Sequence, residues 1–433
     1  MIENSFRCTK LDLVKGLYIH KLEIGNTIIT NRCLLSYIRI KVIMSDTGSQ
    51  FVKDIERLKS LNSRYEKLKC VNLNGTSKKG TFSYIFKAFD THLNDHVAIK
   101  FFDPEKTNDT YRLRSFERES EILERLLEVS RCLQLVEGHN VHTWVIKSPG
   151  GDLNIGIPYF VTEWLESDIE RFAYEQERIE AAAKIRVFKD IVLAVSALHR
   201  KEVSHRDLKL DNFRLKCEGD GDYVVAIDLG TAVHLESESI LDSYEGFFAG
   251  HGAYSSLEAL CGFAGDRELA FKNDVYALGC ILFEIFNVHQ YFKVVAPSIK
   301  LETTVVAMRA EMTAMKGLSI EKQKKGWEKR MRLFSRRIVP PTILQDGNTV
   351  PACLGQILTD LHSQLVAWSC FERKVTMKGV LNALNTCERV LNNEKRQKKL
   401  IEQRKKVRER KIAKAKAREI KALRSKYAEK KDA

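Results

Sequence analysis

The chain has 433 residues, enough for two to three domains of about 150 residues each, so it can bury the core of an enzyme. Hydrophobic residues make up 44% of the chain and charged residues 30%, which excludes a mainly disordered or membrane-embedded protein. The formal net charge is +14, but residues 387 to 433 alone hold 19 Lys and Arg against 7 Asp and Glu. The rest of the chain is therefore nearly neutral, which argues against a protein that binds nucleic acid over its whole surface.

Cysteine spacing and hydropathy predict the compartment. The ten cysteines include no CxxC pair, which indicates free thiols rather than a zinc site or a secreted disulfide framework. The most apolar N-terminal stretch, residues 27 to 44, is interrupted by Arg32, Arg39 and Lys41, so neither a membrane span nor a signal-peptide core is predicted. We therefore expect a soluble, cytoplasmic protein without a membrane partner.

The N-terminal region divides at Met44. Residues 1 to 45 have no clear period, and the polar SDTGSQ stretch after Met44 resembles a natural N-terminus, so we hypothesise that the first 43 residues are a start-site extension. Natural peptides from upstream of Met44 would contradict this. In residues 51 to 68 apolar side chains recur every three or four positions, which predicts an amphipathic helix beside the domain that follows.

The next part of the chain predicts a small β-rich domain with one helix. Residues 81 to 89 and 96 to 102 are β-type runs joined by a polar turn, which is typical of a hairpin. Residues 111 to 129 have a helical period, and 141 to 146 and 157 to 164 are further strand-like runs.

From residue 169 onward the pattern becomes mostly helical. Residues 181 to 199 form a strong amphipathic run, and residues 274 to 286 are apolar nearly throughout, as in a buried helix. Residues 300 to 365 give no clear assignment. We therefore expect a second, larger and α-rich domain.

The segment with the clearest chemistry reads SHRDLKLDNF at residues 204 to 213, and Asp228-Leu229-Gly230 begins sixteen residues after Asn212. A lone His-x-Asp would be a surface carboxylate or a helix cap, but the whole string with a correctly spaced Asp-x-Gly is far more specific. It resembles the catalytic and metal-binding loops of eukaryotic-type serine/threonine protein kinases. By this resemblance, the catalytic residues are Asp207 as the base, Lys209 on the γ-phosphate and Asn212. The metal ligands for Mg²⁺ are Asn212 and Asp228.

The resemblance implies an α+β, two-lobed protein kinase fold, with a small β-rich N-lobe containing one main helix, a larger α-rich C-lobe, and a basic helical C-terminal tail. We divide the chain accordingly into an N-terminal extension (1–66), a kinase domain (67–390, with N-lobe 67–162, hinge 163–168 and C-lobe 169–390) and the tail (391–433).

Upstream motifs supply the expected ATP site. The strand VAIK at 97–100 resembles the one whose lysine grips the α- and β-phosphates, and Glu119 is the expected helix partner of Lys100, with Glu117 and Glu121 left open. VTEWL at 161–165 resembles the hinge that holds adenine, with Thr162 as gatekeeper. The implied ATP-binding residues are Lys100, Glu119, Gly80, Ile85, Ala98, Glu163 and Leu165.

The glycine-rich loop departs most from the family pattern. Gly80 is well placed, but Lys78 and Ser83 stand where the family often has glycine. Alternatively, Gly75 is a displaced first glycine with an insertion behind it.

The region after the catalytic motif resembles an activation segment. Residues 250 to 258 resemble its end, and Asp274 resembles the aspartate that braces the catalytic loop. The basic partner of Glu258 is left open between Arg373 and Lys374. Arg206 before Asp207 implies activation by a phosphate, and the candidate acceptors are Ser237, Ser239, Ser243 and Tyr244.

The sequence is compatible with three functions. The leading one is a protein kinase that transfers the γ-phosphate of Mg-ATP to Ser or Thr hydroxyls of protein substrates, because Lys209 accompanies that specificity in the family. The alternative is a pseudokinase-like scaffold whose basic tail, if it is more than a solvated helix, recruits nucleic acid or another acidic partner. A small-molecule kinase is disfavoured by Arg206 and Lys209. No oligomeric state is predicted.

Overall fold

The structure is a computed structural model, and the chain divides in it into two compact units. Unit 1 comprises residues 1–127 and 133–164, and unit 2 comprises residues 128–132 and 165–433. The residues that the structure describes are 22–24, 27–29, 47–74, 77–78, 82–147, 151–169, 171–175, 178–219, 221–236, 250–263, 266–287, 289–315, 317–343 and 350–429. Among these residues, no helix combines the length and apolarity that a membrane crossing requires.

Unit 1 is built on a six-stranded antiparallel sheet. In the order of the sheet, its strands are β3 (Ser60–Leu61), β4 (Tyr65–Cys70), β7 (Ser83–Asp90), β8 (Asp95–Phe102), β10 (Leu153–Glu163) and β9 (Leu135–Ile146). Two small hairpins accompany it: β1 (Leu22–Ile24) with β2 (Thr27–Ile29), and β5 (Leu73–Asn74) with β6 (Ser77–Lys78). From Tyr84 to the end of β7 the buried and half-buried side chains alternate, as expected of a strand with two unlike faces.

A helix covers one face of this sheet. Helix α1 (Thr47–Glu56) buries Phe51, Val52 and Ile55, and the Phe51 ring meets the rings of Phe101 and Trp144 edge to face at 5.4 and 5.3 Å. These contacts make α1 part of the hydrophobic core of unit 1.

The prediction of a helix through residues 51 to 68 is wrong in its second half, which contains strands β3 and β4. A register shift lies between Glu66 and Lys69, where Lys67 has a positive φ of 55°. Such a bulge adds one residue to the strand, so Tyr65 and Leu68 are both buried although they are three positions apart. The bulge thus imitates helical spacing, and the domain boundary placed at residue 66 falls inside β4.

Helix α2 (Thr110–Arg125) follows β8. The side chain of Asp109 caps it by accepting a hydrogen bond from the backbone N–H of Arg112 at 3.1 Å. Its buried side includes Phe116, whose ring lies 5.5 Å from that of Phe102 and 5.0 Å from that of Phe160. Helix α2 therefore packs on strands β8 and β10.

Unit 2 is mostly helical, as expected. Its helices are α3 (Arg171–Tyr174), α4 (Ala181–Arg200), α5 (Arg267–Phe286), α6 (Tyr291–Ser298), α7 (Leu301–Ala314), α8 (Ile320–Arg337), α9 (Gly355–Leu365) and α10 (Met377–Glu429). Short strands hold the loops between α4 and α5: β11 (Ser167–Asp168) pairs with β13 (Phe213–Glu218), β13 with β14 (Gly221–Ala226), and β12 (Val203–Ser204) with β15 (Val233–His234).

Helix α10 runs unbroken through the boundary predicted at residues 390 and 391. Its first turns bury Val380, Leu384, Cys387 and Leu391 and pack against α4 and α9. From residue 395 to residue 414, by contrast, every side chain is exposed. Burial therefore continues past residue 390 to Leu391, and Glu394 is still half-buried.

Candidate active site

The loop that carries Asp207 is held by the buried carboxylate of Asp274 in α5. Asp274 Oδ2 accepts hydrogen bonds from Ser204 Oγ and from the backbone N–H of His205, both at 2.9 Å. Asp274 Oδ1 accepts the backbone N–H of Arg206 at 2.8 Å. Three consecutive residues before Asp207 are thus tied to one side chain.

Asp274 remains ionised despite complete burial. Burial works to raise the pKa of its carboxyl, but the hydrogen bond with His199 Nε2 at 2.9 Å, the charges of His199 and His205, and the Arg206 N–H outweigh it. The pKa of Asp274 therefore lies below its ordinary value. An ionised acceptor makes these hydrogen bonds stronger than neutral ones.

Asp207 is oriented by three neighbours. Asn212 Nδ2 donates to the Asp207 carbonyl oxygen at 2.7 Å and to its Oδ2 at 3.1 Å. Lys209 Nζ lies 3.6 Å from the same Oδ2, and Asp207 Oδ1 accepts the backbone N–H of His251 at 2.7 Å. Both carboxylate oxygens of Asp207 thus have fixed directions.

A hairpin places Asn212 and Asp228 at the same end of two strands. Asn212 immediately precedes β13, Asp228 follows β14 by two residues, and the Ile227 N–H donates to the Asn212 carbonyl at 2.9 Å. The backbone of Asp228 is left-handed, with φ at 61°. The structure therefore brings together Asp207, Lys209, Asn212 and Asp228, all within unit 2.

The end of the activation-segment motif lies against the catalytic loop. Gly250 has a φ of +86°, and a Cβ there would stand 2.1 Å from the carbonyl oxygen of Arg206. Only glycine fits such an approach. The Arg206 side chain is also buried, and its Nε donates to the Thr231 carbonyl at 2.7 Å.

The structure decides the partner of Glu258. The Arg373 guanidinium forms an ion pair with the Glu258 carboxylate, and both side chains are buried, whereas Lys374 is exposed. The candidate phosphate acceptors Ser237, Ser239, Ser243 and Tyr244 lie outside the described residues.

In unit 1, Lys100 of β8 contacts Glu119 of α2. Lys100 Nζ donates to both carboxylate oxygens of Glu119 at 2.8 Å, and both side chains are buried. Of the two alternatives left open, Glu121 is exposed and Glu117 is half-buried. Ile85 pairs with Lys100 across the ladder and Ala98 lies two residues before it, so these three side chains share one face of the sheet.

The predicted adenine contacts, Glu163 and Leu165, lie at the end of β10 and just after it. Glu163 ends β10, and its backbone N–H donates to the Gln134 carbonyl at 3.0 Å. The Glu163 carbonyl accepts the Thr162 hydroxyl at 3.3 Å, and a carbonyl oxygen has two lone pairs. Of these two backbone groups, the carbonyl is therefore the better candidate for a ligand contact. Leu165 lies two residues after Glu163 and is half-buried.

The glycine-rich loop is described only in part, and Gly80 lies outside the described residues. Lys78 belongs to the β5–β6 hairpin, where it pairs with Leu73. Beside this hairpin, Asn72 accepts the Ile85 N–H at 2.9 Å and donates to the Ser83 carbonyl at 3.0 Å. Asn72 thus ties the chain before the loop to β7.

Sequence reasoning missed several of these residues. Asn72 carries no local motif, and His199 stands out in the sequence only as part of an amphipathic helix. Tyr254, in the activation-segment motif, donates to Glu284 Oε2 at 2.8 Å, and burial raises the pKa of Glu284 to about 7. Only the packing of distant segments marks such residues.

Comparison with known proteins identifies the family. The family model described as "Protein kinase domain" matches residues 78–383, which is more than two thirds of the chain. The chain belongs to the protein kinase family. In this kinase the matched range begins at the end of β6 and includes strands β7 to β10 of the unit 1 sheet and the helices of unit 2 through the first turns of α10.

Curated relatives of the kinase are similar over about half of its length. A protein of Plasmodium falciparum named "Probable serine/threonine-protein kinase 2" is 28% identical over 234 residues, covering 51% of this chain and 40% of the relative. A "Probable serine/threonine-protein kinase" of Clostridium perfringens is 26% identical over 228 residues, or 52% of this chain and 29% of the relative. The human "Hormonally up-regulated neu tumor-associated kinase" is 26% identical over 215 residues, covering 48% of this chain and 26% of the relative. The alignments thus span less than half of each relative.

Proposed function

We propose that this kinase transfers the γ-phosphate of Mg-ATP to Ser or Thr hydroxyls of proteins, with Asp207 as the base. The observation that carries the proposal is the arrangement around Asp207, whose carboxylate is oriented by Asn212, Lys209 and His251. Phosphoryl transfer depends mainly on positioning and on offsetting charge, and this cluster provides groups for both.

In this proposal Asp207 aligns the substrate hydroxyl and accepts its proton. Its Oδ1 is fixed by the His251 N–H and its Oδ2 by Asn212, so the carboxylate is held in position before a substrate arrives. Lys209, whose ammonium group lies beside Oδ2, would place a positive charge next to the transferred phosphate.

Asn212 and Asp228 fit magnesium by their chemistry. Asn212 donates through Nδ2 to Asp207, which fixes the plane of its amide and points its Oδ1 away from Asp207. Carboxylate and amide oxygens are the hard ligands that Mg²⁺ accepts, usually together with water and phosphate. When bound, Mg²⁺ would neutralise charge on the phosphates.

ATP would contact residues of the Lys100 face of the sheet. Lys100 would bind the α- and β-phosphates, and Glu119 would hold its ammonium group through the two 2.8 Å hydrogen bonds. Adenine would receive apolar contacts and backbone groups from Ile85, Ala98 and Leu165, and the backbone carbonyl of Glu163 would also contact it. The backbone of Gly80 would come close to the phosphates. The names of the relatives and the presence of Lys209 support Ser/Thr specificity.

The test is the transfer of labelled γ-phosphate from Mg-ATP to the protein itself and to a generic basic substrate. Asp207→Asn should lower the rate by about 10²- to 10⁴-fold, the usual contribution of a general base. Asp222→Asn is the matched control, because Asp222 is exposed on β14 and undergoes the same charge change. It should keep the wild-type rate.

Two results would contradict the proposal. Absence of transfer by the wild type, even with Mn²⁺, would favour a scaffold function, and an equal loss in both variants would remove Asp207 from the centre of the reaction. Label recovered on phosphotyrosine instead of phosphoserine or phosphothreonine would overturn the Ser/Thr assignment.

A further inference from the structure

The exposed part of α10 is a long, strongly basic helix that is anchored at one end. Its buried residues Val380, Leu384, Cys387 and Leu391 pack on unit 2, and Lys189 Nζ holds Glu388 at 2.8 Å. The twenty residues 395 to 414 are exposed throughout and include eleven Lys and Arg but only two acidic residues. At 1.5 Å per residue this segment is about 30 Å long.

The charges are not spread evenly around this helix. At about 100° per residue, twelve of the twenty side chains cover an arc of about 200° that we call the basic face. Its members are Arg396, Gln397, Lys399, Leu400, Gln403, Arg404, Lys406, Val407, Arg408, Arg410, Lys411 and Lys414. Eight of the twelve are basic and none is acidic.

Both acidic residues of the segment lie on the remaining arc, which we call the mixed face. Its members are Lys395, Lys398, Ile401, Glu402, Lys405, Glu409, Ile412 and Ala413. Ion pairs neutralise part of this face: Lys395 pairs with Glu180 at 3.4 Å and Lys398 with Glu394 at 2.8 Å. On the basic face, Lys406 pairs with Glu402 at 2.7 Å, across the border between the two faces.

The basic face is itself organised in rows. Lys399, Lys406 and Arg410 form one row, and Arg404, Arg408 and Lys411 form a second row about 100° to 200° away around the helix axis. Between the rows runs a strip whose middle residues, Leu400, Gln403 and Val407, are uncharged, while Arg396 and Lys414 at its two ends are basic. A partner that fits this pattern presents two parallel lines of negative charge with a channel between them.

We propose that the basic face of α10 binds the major groove of duplex DNA through contacts to the phosphates on both sides of the groove. The groove is about 12 Å wide and admits an α-helix, whose own diameter is about 10–12 Å. The helix length of about 30 Å is comparable to the axial length of one turn of the duplex, about 34–36 Å, so the straight helix contacts phosphates over part of one turn of the winding groove. Each contact between a basic side chain and a phosphate releases condensed counterions, which provides affinity without a preferred sequence.

Other polyanions fit the same surface less well. Residues 395 to 414 contain no aromatic residue on which the bases of a single strand could stack. The apolar residues are divided between the two faces, Leu400 and Val407 on one and Ile401 and Ile412 on the other, so no apolar face is present in this segment for insertion into a membrane. The major groove of duplex RNA is deep and narrow and does not accept side chains in this way.

The test measures binding of the full-length protein to a fluorescent duplex of about 20 base pairs by anisotropy, between about 50 and 200 mM salt and without ATP. One variant replaces the three lysines of the two rows, Lys399→Gln, Lys406→Gln and Lys411→Gln. The matched control replaces three lysines of the mixed face, Lys395→Gln, Lys398→Gln and Lys405→Gln. Both triple variants lose the same charge, and Gln has nearly the helix propensity of Lys, so the helical content by circular dichroism should be equal.

The basic-face variant should bind about 10- to 100-fold more weakly at about 100 mM salt, and the slope of log K against log salt should fall by about three. The mixed-face control should stay within about twofold of the wild type. Equal weakening of both variants, or no binding of the duplex by the wild type at the lowest salt, would overturn the proposal. If the protein binds duplex RNA of the same length, or vesicles of phosphatidylserine and phosphatidylcholine, more tightly than it binds duplex DNA, then that ligand is the partner and the DNA proposal is wrong.

Discussion

At the scale of single residues, the candidate site includes three residues whose backbone is left-handed. Arg206 and Asp228 are non-glycine residues with φ at 64° and 61°, and Gly250 has a φ of +86°. Residues other than glycine rarely adopt this region, and the cost is tolerated where surrounding contacts dictate the conformation. For Arg206 these contacts are the hydrogen bonds of its N–H to Asp274 and of its Nε to Thr231.

Gly250 provides a test at this scale. Gly250→Ala would place a Cβ 2.1 Å from the Arg206 carbonyl oxygen, so the activation-segment end must move away from the catalytic loop and the His251 contact to Asp207 must be lost. We expect a fall in phosphoryl transfer of about tenfold or more, because misplaced catalytic groups are costly. The measurement is the initial rate with Mg-ATP and a generic basic substrate.

Gly221→Ala separates this clash from backbone strain alone. Gly221 also has a positive φ, of +137°, but a Cβ there would meet nothing within 4 Å. The control should lose some stability and keep its activity per folded molecule. If Gly250→Ala and Gly221→Ala lose the same share of phosphoryl-transfer activity, the close approach of Gly250 to Arg206 does not matter for catalysis.

At the scale of elements, buried polar pairs join segments that are far apart in the chain. Arg373, which lies between α9 and α10, pairs with Glu258 beside the 3₁₀ turn at Gly252–Tyr254. Lys272 Nζ of α5 also donates to the Arg373 carbonyl at 2.8 Å. The Arg373 segment therefore connects α5 and the end of the activation segment.

The prediction at this scale compares two adjacent residues. Arg373→Met should lower the free energy of unfolding by about 3–5 kcal/mol, because it leaves the Glu258 carboxylate buried and unpaired. Lys374→Met should change it by less than about 1 kcal/mol, because Lys374 is exposed. Urea denaturation followed by circular dichroism measures both values. Similar effects of the two substitutions would mean that the ion pair contributes nothing specific to stability.

At the scale of the whole molecule, burial and charge divide α10 into two functional parts. The first turns bury four apolar side chains in unit 2, and residues 395 to 414 have none buried. Stability should therefore depend on the first part, and the proposed DNA binding on the second.

Two truncations test this division. Ending the chain after residue 394 removes the exposed residues 395 to 414 with the rest of the tail, and should move the melting temperature by less than about 2 °C. Ending it after residue 379 also removes the buried Val380, Leu384, Cys387 and Leu391, of which the Val and the two Leu side chains are each worth about 1.5–3 kcal/mol of burial, and should lower the melting temperature by about 10 °C or more. Scanning fluorimetry compares the two shortened chains. A large fall for the chain that ends after residue 394 would contradict the division.

Local sequence determined much about this protein. The family could be inferred from SHRDLKLDNF and Asp228-Leu229-Gly230 because a catalytic loop is nearly contiguous, and the match to the protein kinase domain confirms that inference. The strands and the helices of the second unit were predictable wherever alternation or helical period was strong, as in β7 and α4.

The tertiary structure decided between alternatives that the local sequence pattern fits equally well. The spacing of Tyr65 and Leu68 is compatible with a helix or a bulged strand, and pairing of β4 with β7 selected the strand. Arg373 and Lys374 are adjacent and both basic, and burial against Glu258 selected Arg373. His199, Asn72 and Gly250 acquire their contacts from residues remote in sequence. Periodicity reports only the near neighbours of a residue, whereas burial and hydrogen bonding depend on which segments the whole fold brings together.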